Sequence, residues 1–389
     1  MQNDSEKRLK SDSVLWLLPM LILVGGLASL AVSRTDSPED RPRPVVLSSQ
    51  PRVSQERCAE CHSDITDEFH LAPHSRTLKR VPPDEFIEKF AGRSVKLQGT
   101  GVEMEYRVED DRLAVSSSAY PRELPIEWIF GSGTHACTPL ITWTDAHGKT
   151  TSLEHSVSWY PDGKLARTLG MEELKETEGL LALGVPRTPA QTVNCFGCHA
   201  THVPVHQGKI DFDGIEPGIG CIRCHKGTAE HVRNMDEGFA ATIERFSQLS
   251  PREAVDRCGE CHRRADELDG EIRPDDKTLP RFASVGLVQS PCFKQQAGMK
   301  LPSGKPARLD CTTCHDPHRP AIRDWKVHTA VCLDCHHSNN EAAHDCPRAA
   351  RDSNCLKCHM PKVPANEHLE FTDHWIRIQE NFDSDSVDD

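Results

Sequence analysis

The sequence predicts a mainly α chain with little regular structure, packed around large bound groups, with one small antiparallel β insertion. Three observations predict it. The pattern C-x-x-C-H occurs seven times in 389 residues: Cys58-Cys61-His62, Cys195-Cys198-His199, Cys221-Cys224-His225, Cys258-Cys261-His262, Cys311-Cys314-His315, Cys332-Cys335-His336 and Cys355-Cys358-His359. Aromatic content is 5% and hydrophobic content 37%, too few large side chains to fill an ordinary core of this length. Residues 63–194 carry no copy of the pattern and read as strands and turns instead.

The repeated motif identifies the bound groups. Haem has two vinyl groups, and each forms a thioether with one thiol; two intervening residues let both sulfurs reach one porphyrin edge, and the adjacent histidine turns under the ring as proximal iron ligand. Zinc sites need paired C-x-x-C units or a second histidine pair, and disulfides need no histidine. Neither accounts for a histidine after every pair. The expected cofactor is therefore haem c, seven copies covalently attached, and the expected fold is built around stacked haems. Fourteen of the 17 cysteines are used this way, leaving Cys137, Cys292 and Cys346. A Cys292–Cys346 disulfide and two unpaired thiols are both open readings.

Along the chain, residues 1–33 read as a signal peptide or N-terminal membrane anchor. The apolar run 14–32 follows Lys7, Arg8 and Lys10. Either form places the remainder outside the cytoplasm, on the periplasmic side of the membrane. Residues 34–54 are a Pro-, Ser- and charge-rich linker. Residues 55–378 are expected to form the haem-binding domain. Its β-rich insertion, about 92–170, has turns at Asp110-Asp111, Ala146-His147-Gly148 and Asp162-Gly163. Its haem-dense part, 190–378, is expected to be short helices and loops, with the best helix broken near Ser250-Pro251. Residues 379–389 are an acidic, disordered tail. A net charge of −13 argues against nucleic-acid binding and suits a basic redox partner.

Five stretches, "EFHLAPHSRTL", "GSGTHACTPL", "GIGCIRCHKGTAEHV", "CTTCHDPH" and "CLKCHMPKVPANEHLEFTDHWIRI", carry a family resemblance. Over about 58–378 the chain resembles multihaem cytochromes c related to the tetrahaem cytochrome of nitrifying bacteria. It is more closely similar to a seven-haem bacterial family often fused to repeat domains, which this chain lacks. The wider superfamily includes hydroxylamine oxidoreductases and multihaem nitrite reductases. The resemblance implies distal iron ligation by His74, His135, His231, His318 and His374, and His344 sits where that family has another. His202, His206 and His328 are open candidates for a seventh; otherwise one haem is five-coordinate. His70, His147, His155, His337 and His368 read as solvated loop histidines. His231 is six residues from His225, about 9 Å along a helix that leads away from the ring, so it is expected to serve a neighbouring haem.

Electron transfer is the expected function. The redox partner would be a membrane quinol oxidoreductase or a periplasmic reductase. The alternative is an oxidoreductase acting on hydroxylamine or nitrite at a five-coordinate haem. Two departures weigh against it. There is no C-x-x-C-K motif, and none of Tyr106, Tyr120 and Tyr160 is placed like the cross-linking tyrosine of the oxidoreductases.

Overall fold

A computed structural model describes residues 52–379, apart from 81–83, 111, 176, 241–242, 337–345 and 347–352. In chain order its first strands are β1 (Leu78–Arg80), β2 (Ser94–Lys96), β3 (Glu103–Glu109), β4 (Arg112–Ser117), β5 (Tyr120–Pro125), β6 (Trp128–Phe130), β7 (Thr138–Thr144), β8 (Thr150–His155), β9 (Val157–Trp159), β10 (Leu165–Arg167) and β11 (Gly184–Arg187). Strands β2 to β5 form a four-stranded antiparallel meander. A five-stranded antiparallel sheet has the order β1-β6-β7-β8-β11. Three of the expected turns lie between strands: Asp110 takes φ +47° after β3, Gly148 φ +75° before β8, and Gly163 φ +82° before β10.

The fold class differs from the sequence expectation. Seventeen strands in six sheets occur among the described residues, so the chain is mixed α and β, not mainly α with a small β insertion. The insertion is larger than expected because β1 and β11, outside 92–170, pair onto its exposed edges and complete the sheet. Strands of three or four residues carry too little alternation to be read from sequence. Three further two-stranded ribbons lie in the haem-dense part: β12 (Ala200–His202) with β15 (Glu216–Pro217), β13 (Val205–His206) with β14 (Lys209–Ile210), and β16 (Lys362–Asn366) with β17 (Leu369–Thr372).

The helices are α1 (Gln55–Leu71), α2 (Asp84–Phe90), α3 (Pro189–His199), α4 (Cys221–Cys224), α5 (Thr228–Asp236), α6 (Pro251–His262), α7 (Ala283–Gln289), α8 (Pro291–Gln295), α9 (Cys311–Cys314), α10 (Trp325–Cys335) and α11 (Cys355–His359). The stretch expected to be the best helix becomes helical only from Pro251, with a single 3₁₀ turn, Phe246–Gln248, before it.

The apolar core is unevenly distributed. Its largest cluster packs Met104, Tyr106, Leu113 and Val115 of the meander with Ile129, Ile141 and Leu153 of the five-stranded sheet. A second cluster joins Trp128, Phe130 and Leu140 to Phe196 of α3. The third, in the haem-dense part, has only Val255, Leu287 and Val288 as buried members. A region this poor in core must be filled by something other than its own side chains.

The expected transmembrane anchor gains no support. No helix among the described residues is long and apolar enough to cross a membrane. The run 14–32 lies outside those residues, as do nearly all of the linker and the acidic tail.

His155 is buried with no exposed surface, not solvated as expected. Strand β8 is covered on both faces, so its side chains face protein on either side. Tyr106 Oη lies 2.6 Å from His155 Nε2, and His155 Nδ1 lies 2.6 Å from the Leu183 carbonyl. Burial pushes the imidazole down to about 4. In the unfolded chain it titrates near its ordinary value of about 6.5. Its contribution is therefore present above about pH 6.5 and lost as pH falls through about 4, on the order of 3 kcal/mol in all. His155→Asn is expected to flatten the dependence of unfolding midpoint on pH between 6.5 and 4. Parallel profiles for the two proteins would contradict this.

Candidate haem-binding sites

Each motif places its two cysteines on one helical turn, where i and i+3 share a face. The helices begin where side chains cap them. Thr188 with Gln191 and Ser250 with Glu253 form capping boxes ahead of α3 and α6, each with Pro at the first position. Ser54, Asp310, Asp324 and Asn354 cap α1, α9, α10 and α11. In four motifs the histidine backbone departs from helical geometry, whereas His199, His262 and His359 end their helices. His62 (φ −124°, ψ 42°), His225 (−97°, 109°), His315 (−123°, 130°) and His336 (−92°, 59°) all have non-helical backbones. This local break lets the imidazole turn away from the cysteine helix.

Four motif histidines face a histidine from elsewhere in the chain. Ring centroids are 6.4 Å apart for His62 and His231, nearly parallel at 21°, and 6.1 Å for His225 and His318 at 9°. They are 6.1 Å apart for His74 and His262, and 6.2 Å for His315 and His374. Two imidazoles bonded to one metal from opposite sides, at about 2.0 Å with ring centres roughly 1.2 Å behind each nitrogen, hold their centroids about 6.4 Å apart. The pairs therefore have the spacing that a shared iron requires. No group of three or more His, Cys, Asp or Glu able to hold a metal occurs among the described residues. Two protein ligands per site suit a macrocycle that supplies the other four.

Hydrogen bonds orient several of these rings. Nδ1 of His199 lies 3.0 Å from the Thr77 carbonyl, His225 3.2 Å from Glu244, His359 3.1 Å from Arg377 and His374 2.9 Å from Thr372. An Nδ1–H donated to a carbonyl leaves Nε2 available to a metal and fixes the tautomer. His318 differs, with Nδ1 2.9 Å from the Asp316 carboxylate. Thr77 and Glu244 lie outside the motifs, and only a folded chain shows that their carbonyls serve the sites.

The cysteine pairs lie next to one another. Cys58 lies beside Cys221, Cys198 beside Cys261, and Cys258 beside Cys311. Cys332 is close enough to Cys355 and Cys314 to feel their charge. Neighbouring thiols and burial together push Cys221 and Cys258 well above the usual thiol range, and burial raises Cys195 to about 12. Motifs remote in sequence are thus adjacent in space.

The remaining predicted residues divide. The His135 ring lies 5.3 Å from Phe371, with no motif imidazole at ligating distance among the described residues. His344 lies outside those residues, as does His337. His328 also approaches His315, at 5.9 Å, but its Nε2 lies 3.0 Å from the Ile322 carbonyl. His202 is half-buried in β12, and His206 is exposed in β13. Among the described residues no facing imidazole accompanies His199, His336 or His359. His368 is partly buried against Tyr160 and paired with Asp162, not simply solvated. Cys292 and Cys346 are free thiols, and Cys137 is buried, its thiol pushed up to about 11.

The seven motifs and the paired imidazoles point to one class, c-type cytochromes with several haems. Comparison with known proteins gives one family match and one similar structure. The family described as cytochrome c554 and c-prime matches residues 156–226, a stretch that includes the motifs at Cys195 and Cys221. The crystal structure of outer cell wall cytochrome OcwA is similar with a TM-score of 0.48 at 16% identity, covering 84% of this chain and 79% of that one. No curated protein matches.

Proposed function

We propose that the chain is an extracytoplasmic electron carrier that holds seven haems, each tied by the two cysteines of its motif and ligated by the motif histidine. The observation that carries this reading is the spacing of the histidine pairs, 6.1–6.4 Å at His62/His231, His74/His262, His225/His318 and His315/His374. When bound, the haems supply one-electron redox centres. The chain's own residues would fix their positions: the capped helices aim the thiols, and at four of the seven sites two facing imidazoles would hold the iron. An iron held by two imidazoles would leave no place for substrate, which favours a carrier at those four sites. The adjacent thiols Cys58/Cys221, Cys198/Cys261 and Cys258/Cys311 bring successive sites together. The net charge of −13 favours a basic partner surface, and a membrane quinol oxidoreductase or a periplasmic reductase is the partner class.

Intact mass of the secreted protein is expected to show seven haem additions. Electron paramagnetic resonance of the oxidised form is expected to show low-spin signals. A second reading rests on His199, which is half-buried and oriented by Thr77 yet has no facing imidazole among the described residues. A high-spin signal that responds to nitrite or hydroxylamine would favour an enzyme acting on a small nitrogen compound at that site and count against a pure carrier.

A further inference from the structure

Among the described hydrogen bonds of the paired imidazoles, the ring facing His225 is the one with a carboxylate partner, while His231 Nδ1 is buried with no partner. His318 Nδ1 lies 2.9 Å from Asp316 Oδ1, and the His318 backbone N–H donates to the same oxygen at 3.0 Å. His199, His225, His359 and His374 all direct Nδ1 to neutral backbone carbonyls. A carboxylate carries a full negative charge where a carbonyl carries only a dipole. A histidine that donates to it is more basic, binds its metal more strongly and favours the more positive metal state. The carboxylate is in turn held by Arg319, whose Nε lies 3.6 Å from Asp316 Oδ2 and 2.8 Å from Glu68 Oε2 on α1. A short network thus runs from the helix of the first motif to the ligand of the third. Asp316 and His318 are both partly exposed, so solvent weakens the effect without abolishing it.

We propose that Asp316 is a positioning residue that lowers the reduction potential of the centre held between His225 and His318, making it the most reducing of the four histidine-paired centres. The proposal rests on the haem reading above and deepens it, since it assigns one site the lowest rung of the electron path. Asp316→Asn is the sharpest variant. It keeps an oxygen that accepts from the His318 backbone and ring but removes the charge.

The test is an optical redox titration of the haem-loaded protein, with low-spin character followed by electron paramagnetic resonance. In Asp316→Asn one centre is expected to move to higher potential and stay low-spin. The change in its reduced-to-oxidised ratio is on the order of tenfold, about 59 mV for one electron. Arg319→Gln, which strips a cation from the same carboxylate, is expected to move that centre the other way by a smaller amount. Unchanged potentials in Asp316→Asn, a uniform shift of all centres, or loss of the low-spin signal would overturn the proposal. A wild-type protein whose mass shows no haem additions would instead overturn the haem reading on which it rests.

Discussion

A chain produced without haem attachment is expected to keep its β region and lose the rest. The β region encloses the largest apolar cluster, in which Phe90, Tyr106, Leu113, Ile129 and Leu153 are all essentially inaccessible to solvent. The second cluster extends this core to Phe196, Ala200, Val203 and Ile210, which tie α3 and the following ribbon to the five-stranded sheet. Beyond residue 220, among the described residues, the buried cluster has three members, Val255, Leu287 and Val288, with Ile222, Ala254, Leu279 and Val285 buried outside it. Burying a side chain of this kind contributes about 1.5–3 kcal/mol. So few of them cannot offset the conformational entropy of ordering more than a hundred residues, roughly 1–2 kcal/mol each for the backbone alone. On the haem reading, bound haem would supply the missing core, and its bonds to the motif cysteines and histidines would also cross-link the chain. Limited proteolysis of the haem-free protein is therefore expected to leave a resistant fragment of about residues 78–217, with cleavage throughout 221–378. Equal protection across both halves would show that side chains alone build the second half.

The motifs could be read in the sequence because thioether chemistry is local: both thiols and the proximal histidine fall within five residues. The partner histidines depend on contacts that sequence spacing does not encode. His231 faces His62, His74 faces His262 and His318 faces His225, each across a large part of the chain. The family resemblance implied ligation by them, but only the fold says which ring faces which. For "GIGCIRCHKGTAEH" the physical argument reached further, because a helix starting after His225 had to carry His231 away from its own site. Gly227, at φ +81°, breaks the chain between α4 and α5 and sets that direction. The β region was visible where strands alternate, as in β3, and invisible where they are short or covered on both faces. That is why β1 and β11 were missed, and why His155, in the doubly covered β8, was taken for a surface residue.

Replacing His374 by Ala is expected to convert one centre from low-spin to high-spin, whereas His328→Ala is expected to leave every centre low-spin. Both rings approach His315, at 6.2 and 5.9 Å, so distance alone does not choose between them. Hydrogen bonding does. His374 directs Nδ1 to the Thr372 carbonyl at 2.9 Å, which leaves Nε2 as the lone-pair nitrogen. His328 has its Nε2 at 3.0 Å from the Ile322 carbonyl, so that nitrogen carries the proton and would have to break its bond before it could ligate. Packing agrees. His374 lies where Gly286 of α7 approaches its backbone so closely that a Cβ there would sit 2.8 Å from the Trp375 nitrogen, and Ser290 Oγ donates to the His374 carbonyl at 3.3 Å. The backbone carrying His374 is thus locked against α7, while His328 is half-buried on α10. An open iron in His374→Ala would show itself by high-spin resonance and by binding of carbon monoxide to the reduced protein. If His328→Ala gives that signature and His374→Ala does not, the two roles are exchanged, and His374 serves another site. If both single variants stay low-spin and only the double variant opens the site, either ring can close it, and the orientation of Nε2 is not what selects the ligand.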